Sequence, residues 1–402
     1  MHPRLRRLGF SFVVLVAVAG LLELGCRLGP WQASTTSVYR TGFTGCWFRE
    51  AEGTVTLCEE DTGRFGPQTF PAQVGEACRV MFLGGSSVRL PGHRGWPERA
   101  TLGAVPVEVV NLGVPGATSL ATTLRGQDAL RYHPDVLVVY EGHNDLAQWS
   151  FGAPDEVVQR DQRIARWVLW AQGSALVRTT TWLLQGVTST GKREAAEGLR
   201  VAAAVVRVDQ QPAIAAELRE NFTALVRAAG EVPVIQVVPI SNSGKSPLAT
   251  VVDVDLERGR LVDERVLLAF RLLEAGDAAA ALAGADLALA EDRTHAGAWW
   301  VRARALQAAG RGPEAVEAYG QARRYDAIPL RSTPEIDDAV RAVPAAEVVD
   351  LPALLAEAGG LVPDALFSDM VHFSAAGHDA LARVLSERIQ PRCAERLAAR
   401  RR

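Results

Sequence analysis

Five short apolar runs, rich in β-branched residues and mostly separated by helical patterns, constrain the fold more than any other feature of this sequence. A run without a polar face is expected to form a strand that is buried on both sides. Strands that alternate with helices form a parallel sheet with helices on both faces. The runs are "RVMFLG" (79–84), "PVEVVNL" (106–112), "DVLVVYE" (135–141), "PVIQVVP" (233–239) and "AEVVDL" (346–351).

The amino terminus indicates export. Arginines precede an apolar stretch, Leu8–Leu22, whose length lies between that of a signal-peptide core and that of a full membrane span. We interpret residues 1–26 as an uncleaved signal anchor of the inner (cytoplasmic) membrane, with the rest of the chain on the periplasmic, extracytoplasmic side. Cleavage after 17–19, which would give a secreted protein, and lipidation at Cys26 are the alternatives. Residues 27–75 have no sustained period and predict an extracytoplasmic linker with loose strands.

An internal repeat lies between the fourth and fifth runs. Residues 269–292 align with 303–326 at an offset of 34, with matching alanine, leucine and glycine positions. That period and the segment "AWWVRARALQAAGRGPEAVEAYGQARRYD" resemble the tetratricopeptide family, and the alternative is an ordinary alanine-rich helical hairpin. We predict an all-α insert over 264–326 that leans on the rest of the protein and can dock a protein partner.

Side chains that can take part in catalysis or binding follow the predicted strands. A glycine-rich turn or a lone Asp-x-x-His pair is weak when taken singly, and "GGSS" is also typical of a turn whose serine caps a helix. The carboxyl ends of parallel strands nevertheless meet at one edge of a sheet, where open α/β folds bind ligands. The residues in question are Ser86 and Ser87 after the first strand, Gly116 after the second, Asn144 after the third, and Asp369 and His372 before the last helix.

Together and in this order, these segments closely resemble the four signature blocks of the SGNH/GDSL hydrolase family. The resemblance covers about 79–151, 216–245 and 326–390. It implies an α/β fold of three-layer, flavodoxin-like architecture with strand order 2-1-3-4-5. The hydrolase domain would then consist of two parts, 76–263 and 327–402, with the helical repeat inserted between them.

By position, the resemblance makes Ser86 the nucleophile, His372 its base and Asp369 the carboxylate that orients the imidazole. The backbone N–H groups of Ser86 and Gly116 and the side-chain amide of Asn144 would form the oxyanion hole. This chemistry needs no metal and no cofactor. The sequence departs from the family at Gly85, where the family name records an aspartate, and at Ser87 and Val88.

Other polar residues near these blocks compete for roles. Ser87 is expected to cap the following helix, and Asp145 to stabilise its turn. His143 and His378 are alternative bases to His372. Asn242, after the fourth strand, is a candidate substrate contact.

The expected activity is that of a serine esterase acting on acyl esters, O-acetyl or short-chain, through an acyl-serine. One alternative is an O-acyltransferase that modifies envelope polysaccharide. The other is a non-catalytic scaffold in which the repeat recruits a partner. A net charge of −3 gives no electrostatic reason to expect nucleic-acid binding.

Four cysteines lie beyond the anchor, and no CxxC or Cys/His cluster suggests zinc. In an oxidising compartment they are expected to form disulfides. Cys46 and Cys58 are close in sequence, which favours a local bridge. Cys78 precedes the first strand, and the last helix should run back from the catalytic edge and bring Cys393 to it.

Overall fold

The computed structural model describes residues 18–25, 47–57, 68–89, 95–100, 103–146, 208–250, 256–357 and 359–402. Cys46 and Cys58, and all of the predicted anchor except the helical residues 18–25, lie outside these ranges. In the described part of the chain, no helix is both long enough and apolar enough to cross a lipid bilayer.

The strands in these ranges are β1 (Phe48–Ala51), β2 (Thr54–Leu57), β3 (Thr69–Pro71), β4 (Cys78–Gly84), β5 (Val107–Asn111), β6 (Val136–Tyr140), β7 (Val234–Val238) and β8 (Glu347–Asp350). The α-helices are α1 (Trp96–Arg99), α2 (Ser119–Ala129), α3 (Gln211–Ala229), α4 (Leu256–Glu274), α5 (Ala278–Glu291), α6 (Ala296–Ala308), α7 (Gly312–Arg324), α8 (Pro334–Arg341), α9 (Leu351–Leu354) and α10 (Ala375–Arg400). Short 3₁₀ turns cover Leu130–Tyr132, Val208–Gln210 and Asp364–Leu366.

The parallel five-stranded sheet predicted from the apolar runs is confirmed, and each strand falls within its run or extends it by one residue. The strands lie in the order β5-β4-β6-β7-β8. In β4, Met81 pairs with Val110 of β5 on one side and with Leu137 of β6 on the other. Because β4 lies between β5 and β6, the turn that follows it lies between the turns after those two strands at the carboxyl edge.

Side chains of each strand alternate between the two faces of the sheet. Both faces are buried under helices. Met81 and Leu83 belong to a core that includes buried residues of α2, α3 and α8. Val80 and Phe82 belong to a second core that includes residues of α1 and α10. All seven residues of β4 are buried, as expected for a central parallel strand.

Residues 27–75, interpreted from the sequence as a linker with loose strands, contain an ordered antiparallel sheet in their described part, formed by β1, β2 and β3. The rings of Phe48 and Phe70 pack edge-on against Tyr132, each at 5.3 Å between ring centroids. The strands have only three or four residues each, too few for a sustained period, and for this reason the sequence pattern is weak.

Helices α4–α7 occupy the segment between β7 and α8. Shifted by 34 residues, the end of α4 and the start of α5 coincide with the end of α6 and the start of α7. The first helix begins at Leu256, eight residues before the predicted boundary at 264. The two ends of the segment meet where Thr250 forms a bridge with Asp326.

Asp326 holds these two ends together. Its buried carboxylate accepts hydrogen bonds from the backbone N–H groups of Leu248 and Ala249 and lies 3.2 Å from the guanidinium of Arg331. Arg331 also donates to the carbonyls of Asn242 and Lys245 in the loop after β7. The helical segment is therefore fastened to the carboxyl edge of the sheet.

At the opposite edge of the sheet, Cys78 and Cys393 form a disulfide, as the sequence predicts. Their Cα atoms are 5.5 Å apart although 315 positions separate them in sequence. Further along α10, Arg400 forms an ion pair with buried Asp135 and donates to the carbonyl of Ala77. These contacts fix the last helix across one face of the sheet.

We predict that replacing Cys78 and Cys393 together by alanine lowers the free energy of unfolding by about 2–5 kcal/mol, since the bridge constrains a very long loop of the unfolded chain. Urea denaturation of the oxidised wild type and of the double variant measures the difference. Equal stability of the two proteins would contradict the prediction.

Candidate active site

The turns after β4, β5 and β6 meet at the carboxyl edge of the sheet, as the parallel strands require. Ser86, Gly116 and Asn144 lie in these three turns and are partly exposed, whereas most of their neighbours are buried. The segment before α10 reaches the same edge and carries Asp369 and His372. The residues predicted for catalysis therefore come from four separate parts of the chain.

Ser86, His372 and Asp369 form a continuous hydrogen-bonded chain. The Ser86 hydroxyl lies 2.7 Å from Nε2 of His372. Nδ1 of the same ring lies 2.6 Å from Oδ2 of Asp369. This is the order in which a base takes the hydroxyl proton while a carboxylate orients the imidazole and stabilises its positive charge.

The Asp369 carboxylate is fixed by its own loop. Its Oδ1 accepts hydrogen bonds from the backbone N–H groups of Val371 and His372, each at 2.8 Å. Partial burial alone would raise the pKa of Asp369, but the hydrogen bonds from His372 and Val371 outweigh it and hold the pKa below its usual range. The side chain is 52% exposed, so solvent screens its charge.

Ser87 does not cap a helix, contrary to the sequence-based expectation. It is buried, and its hydroxyl donates to the carbonyl of Val371 at 3.2 Å. The residues directly after Ser87 form a turn, so no helix begins where its hydroxyl could reach. Ser87 instead joins the turn that carries Ser86 to the loop that carries His372.

Two features favour an oxyanion hole beside Ser86. Gly116 has a φ of +77°, a conformation that side chains rarely adopt, which explains glycine in this turn. The amide nitrogen of Asn144 packs against the bare backbone of Gly85, the residue before Ser86. A backbone N–H and an amide N–H at these places can serve the oxygen of a tetrahedral intermediate.

The competing histidines are occupied elsewhere. His143 is buried, its Nδ1 accepts from the backbone N–H of Ser332, and burial lowers its pKa to about 3. Nδ1 of buried His378 accepts from the backbone N–H of Trp96.

Asn242 is held within its own loop. Its side chain is buried and its Oδ1 accepts from the backbone N–H of Gly244. Its backbone N–H donates to the carbonyl of Met370, next to Asp369. The substrate contact that the sequence suggests for the Asn242 side chain stays a prediction.

Glu141 is the residue of this site that the sequence reasoning missed. It directly follows β6, it is buried, and its Oε1 accepts from the backbone N–H of Gly142 and from Nδ2 of Asn144. The sequence did offer a signal for this residue: Glu141 places a carboxyl group at the end of a buried strand, three residues before Asn144.

Asp145 anchors α2 to the same turn. Its carboxylate accepts hydrogen bonds from the backbone N–H and the hydroxyl of Ser119, the first residue of that helix. Burial raises its pKa to about 6, although the Ser119 hydrogen bonds oppose the shift. In the described ranges, no group of three or more His, Cys, Asp or Glu residues comes together as a metal site would require.

The chain matches one family of known proteins. The model of the GDSL-like lipase/acylhydrolase family matches residues 82–311, more than half of the 402 residues. The match includes Ser86, Gly116 and Asn144 and ends before Asp369 and His372. A search of curated proteins finds no match.

We predict that Asp145→Asn weakens the pH dependence of stability between about pH 4 and 6. Because the folded-state pKa of Asp145 is raised, its contribution to stability is greatest below the unfolded pKa of about 3.9 and is lost as pH rises towards 6. The difference between wild type and variant should change by an amount on the order of 3 kcal/mol across this window. Urea titrations at several pH values measure it, and parallel pH curves for both proteins would contradict it.

Proposed function

Because this chain belongs to the GDSL-like lipase/acylhydrolase family, whose members are hydrolases acting on esters, we propose that it is a serine esterase whose nucleophile is Ser86. The observation that carries the proposal is the unbroken hydrogen-bonded chain from Ser86 through His372 to Asp369. This arrangement also weighs against a non-catalytic scaffold, which has no need to keep these groups aligned.

In the proposed reaction, Oγ of Ser86 attacks the ester carbonyl while Nε2 of His372 takes its proton. The carbonyl oxygen becomes an anion that receives hydrogen bonds from the backbone N–H groups of Ser86 and Gly116 and from the Asn144 amide. The C–O bond to the alcohol then breaks, and the departing oxygen takes the proton from His372. Water, activated by the same imidazole, releases the acid and restores Ser86.

We infer that the substrate carries a short acyl group, such as acetyl, on a polar alcohol. The match to a family of lipases and acylhydrolases supports an ester substrate. A panel of esters that differ in acyl length and in the alcohol tests both parts of this proposal.

The same acyl-serine could pass its acyl group to a sugar hydroxyl instead of water, which would make the protein an O-acyltransferase of envelope polysaccharide. The two activities differ only in the acceptor of the second step. Product analysis with an acetylated donor, with and without an acceptor glycan, distinguishes free acetate from acetylated glycan.

The proposed location is the periplasmic side of the inner membrane, with residues 1–26 as the anchor. The disulfide between Cys78 and Cys393 supports an oxidising compartment. The repeat pair, α4–α7, is proposed to dock a protein partner, and the 34-residue relation between its helices supports this role.

We predict that a serine-reactive fluorophosphonate labels the wild type and that Ser86→Ala abolishes the labelling. Ser87→Ala is the matched control, because it removes a hydroxyl from the same turn but leaves Ser86 beside His372. It should retain most of the labelling. Peptide mapping of the adduct locates the modified serine, and labelling that persists in the Ser86→Ala variant would refute the assignment. A panel of acetylated glycans and short-chain esters then identifies the substrate.

A further inference from the structure

The geometry points to Glu141 as a positioning residue for the oxyanion hole: its buried carboxyl fills the space beside Gly85 and holds the Asn144 amide in place. This inference rests on the proposed function and adds a residue that acts through Asn144 without touching the substrate. It concerns a group to which neither the sequence reasoning nor the family match assigns a role.

The contacts of Glu141 connect it to Asn144 on one side. Its Oε1 accepts from Nδ2 of Asn144 at 3.2 Å and from the backbone N–H of Gly142 at 2.9 Å. One N–H of an amide NH₂ group is thus used by Glu141, and the second remains to serve an oxyanion. The hydrogen bond therefore restricts rotation of the amide on which the proposed hole depends.

On the other side, Glu141 lies against the residue that precedes the nucleophile. A Cβ built on Gly85 would lie 2.7 Å from Oε2 of Glu141 and closer still to the amide nitrogen of Asn144. No side chain fits between these groups unless one of them moves. The carboxyl that the family name places at position 85 is absent here, and the neighbouring strand supplies a carboxyl to the same space.

The environment of this carboxyl favours its neutral form. Burial, and next the nearby charge of Asp145, raise the pKa of Glu141 to about 8. The turn at Gly84–Ser87 carries no titratable side chain, whereas α8, which reaches Gly142 through Ile336, carries buried Asp337, whose charge acts on the neighbouring Tyr140. Because Oε1 accepts two hydrogen bonds, the proton belongs on Oε2, which has no hydrogen-bond partner among the described residues. A neutral acid leaves the hole free of a negative charge that would repel the oxyanion.

We predict that Glu141→Ala lowers kcat by roughly 10- to 100-fold, less than the 100- to 1,000-fold expected for loss of an oxyanion donor, and that KM changes by less than about threefold. In an Asn144→Ala background, the same change should have almost no further effect on kcat, because Glu141 acts through that amide. Fluorophosphonate labelling of Ser86 should persist in the single variant.

A further variant separates positioning from general stability. Glu108→Ala removes the carboxylate that pairs with buried Arg79 at the opposite edge of the sheet, and it should lower the Tm while kcat stays unchanged.

If Glu141→Ala fails to fold, Glu141→Gln decides, because a glutamine has the shape and the neutrality of the protonated acid. Turnover by this variant at pH 7 should remain within about tenfold of wild type. The fall in wild-type kcat as pH rises through about 8 should disappear in it, since the variant cannot acquire the charge.

Three results would overturn the inference. The first is a kcat of Glu141→Ala equal to that of the wild type, and the second is additive losses of kcat when Glu141→Ala and Asn144→Ala are combined. The third is a fall in the kcat of Glu141→Gln above about pH 8 that matches the wild type. Each is distinct from failure of the proposed function, which shows as labelling or turnover that does not depend on Ser86.

Discussion

The proposed activity of this fold depends on one contact between two distant parts of the chain, the hydrogen bond between the Ser86 hydroxyl and His372. The two residues are separated by 286 positions, and in the proposed reaction neither acts without the other. A second hydrogen bond from Ser87 to Val371 runs beside the first and joins the backbones of the same two turns. The two hydrogen bonds thus connect the turn that carries the hydroxyl to the loop that carries the imidazole.

Contacts on two sides hold the segment that carries His372 in place. Behind it, α10 begins with a Ser374 cap, and the disulfide to Cys78 fixes the far end of this helix. Beside it, Asn242 donates to Met370, while Arg331 binds the carbonyl of Asn242 and pairs with Asp326 at the base of α4–α7. A series of polar contacts thus connects the base of α4–α7 to the loop that carries Asp369.

Buried polar groups also lie behind the proposed oxyanion hole. Glu141 binds the Asn144 amide, and Asp145 fixes the first residue of α2, which follows the turn containing Gly116. Both carboxyls have raised pKa values because they are buried, so both cost stability as they ionise. We interpret this cost as the consequence of placing polar groups beside the proposed oxyanion hole.

The sequence predicted the parts of the protein that repeat a simple physical pattern. Apolar runs rich in β-branched residues located all five strands of the main sheet, because a strand buried on both faces is mostly apolar. The turns after strand ends, together with the segment before the last helix, predicted side chains that the structure brings together, since parallel strands place their carboxyl ends at one edge. The path of the last helix across the sheet predicted the Cys78–Cys393 bridge.

The parts that the sequence did not predict depend on contacts between segments far apart in the chain. The partner of the Ser87 hydroxyl is a carbonyl almost three hundred residues away, and no local pattern encodes it. Glu141 fills a gap that exists only because Gly85 lacks a side chain, so its position follows from two segments taken together. The short strands β1–β3 gain their stability from Tyr132 on the main body, not from a periodic sequence of their own.

The most direct test of the central claim is to observe the acyl-serine itself. The protein is mixed with an excess of a slowly hydrolysed ester, quenched in acid during turnover, digested, and analysed by mass spectrometry. If Ser86 is the nucleophile, the peptide that contains it gains the mass of the acyl group, and the adduct disappears as the ester is exhausted. Full turnover with no adduct on that peptide, or an adduct on another residue, would contradict the claim.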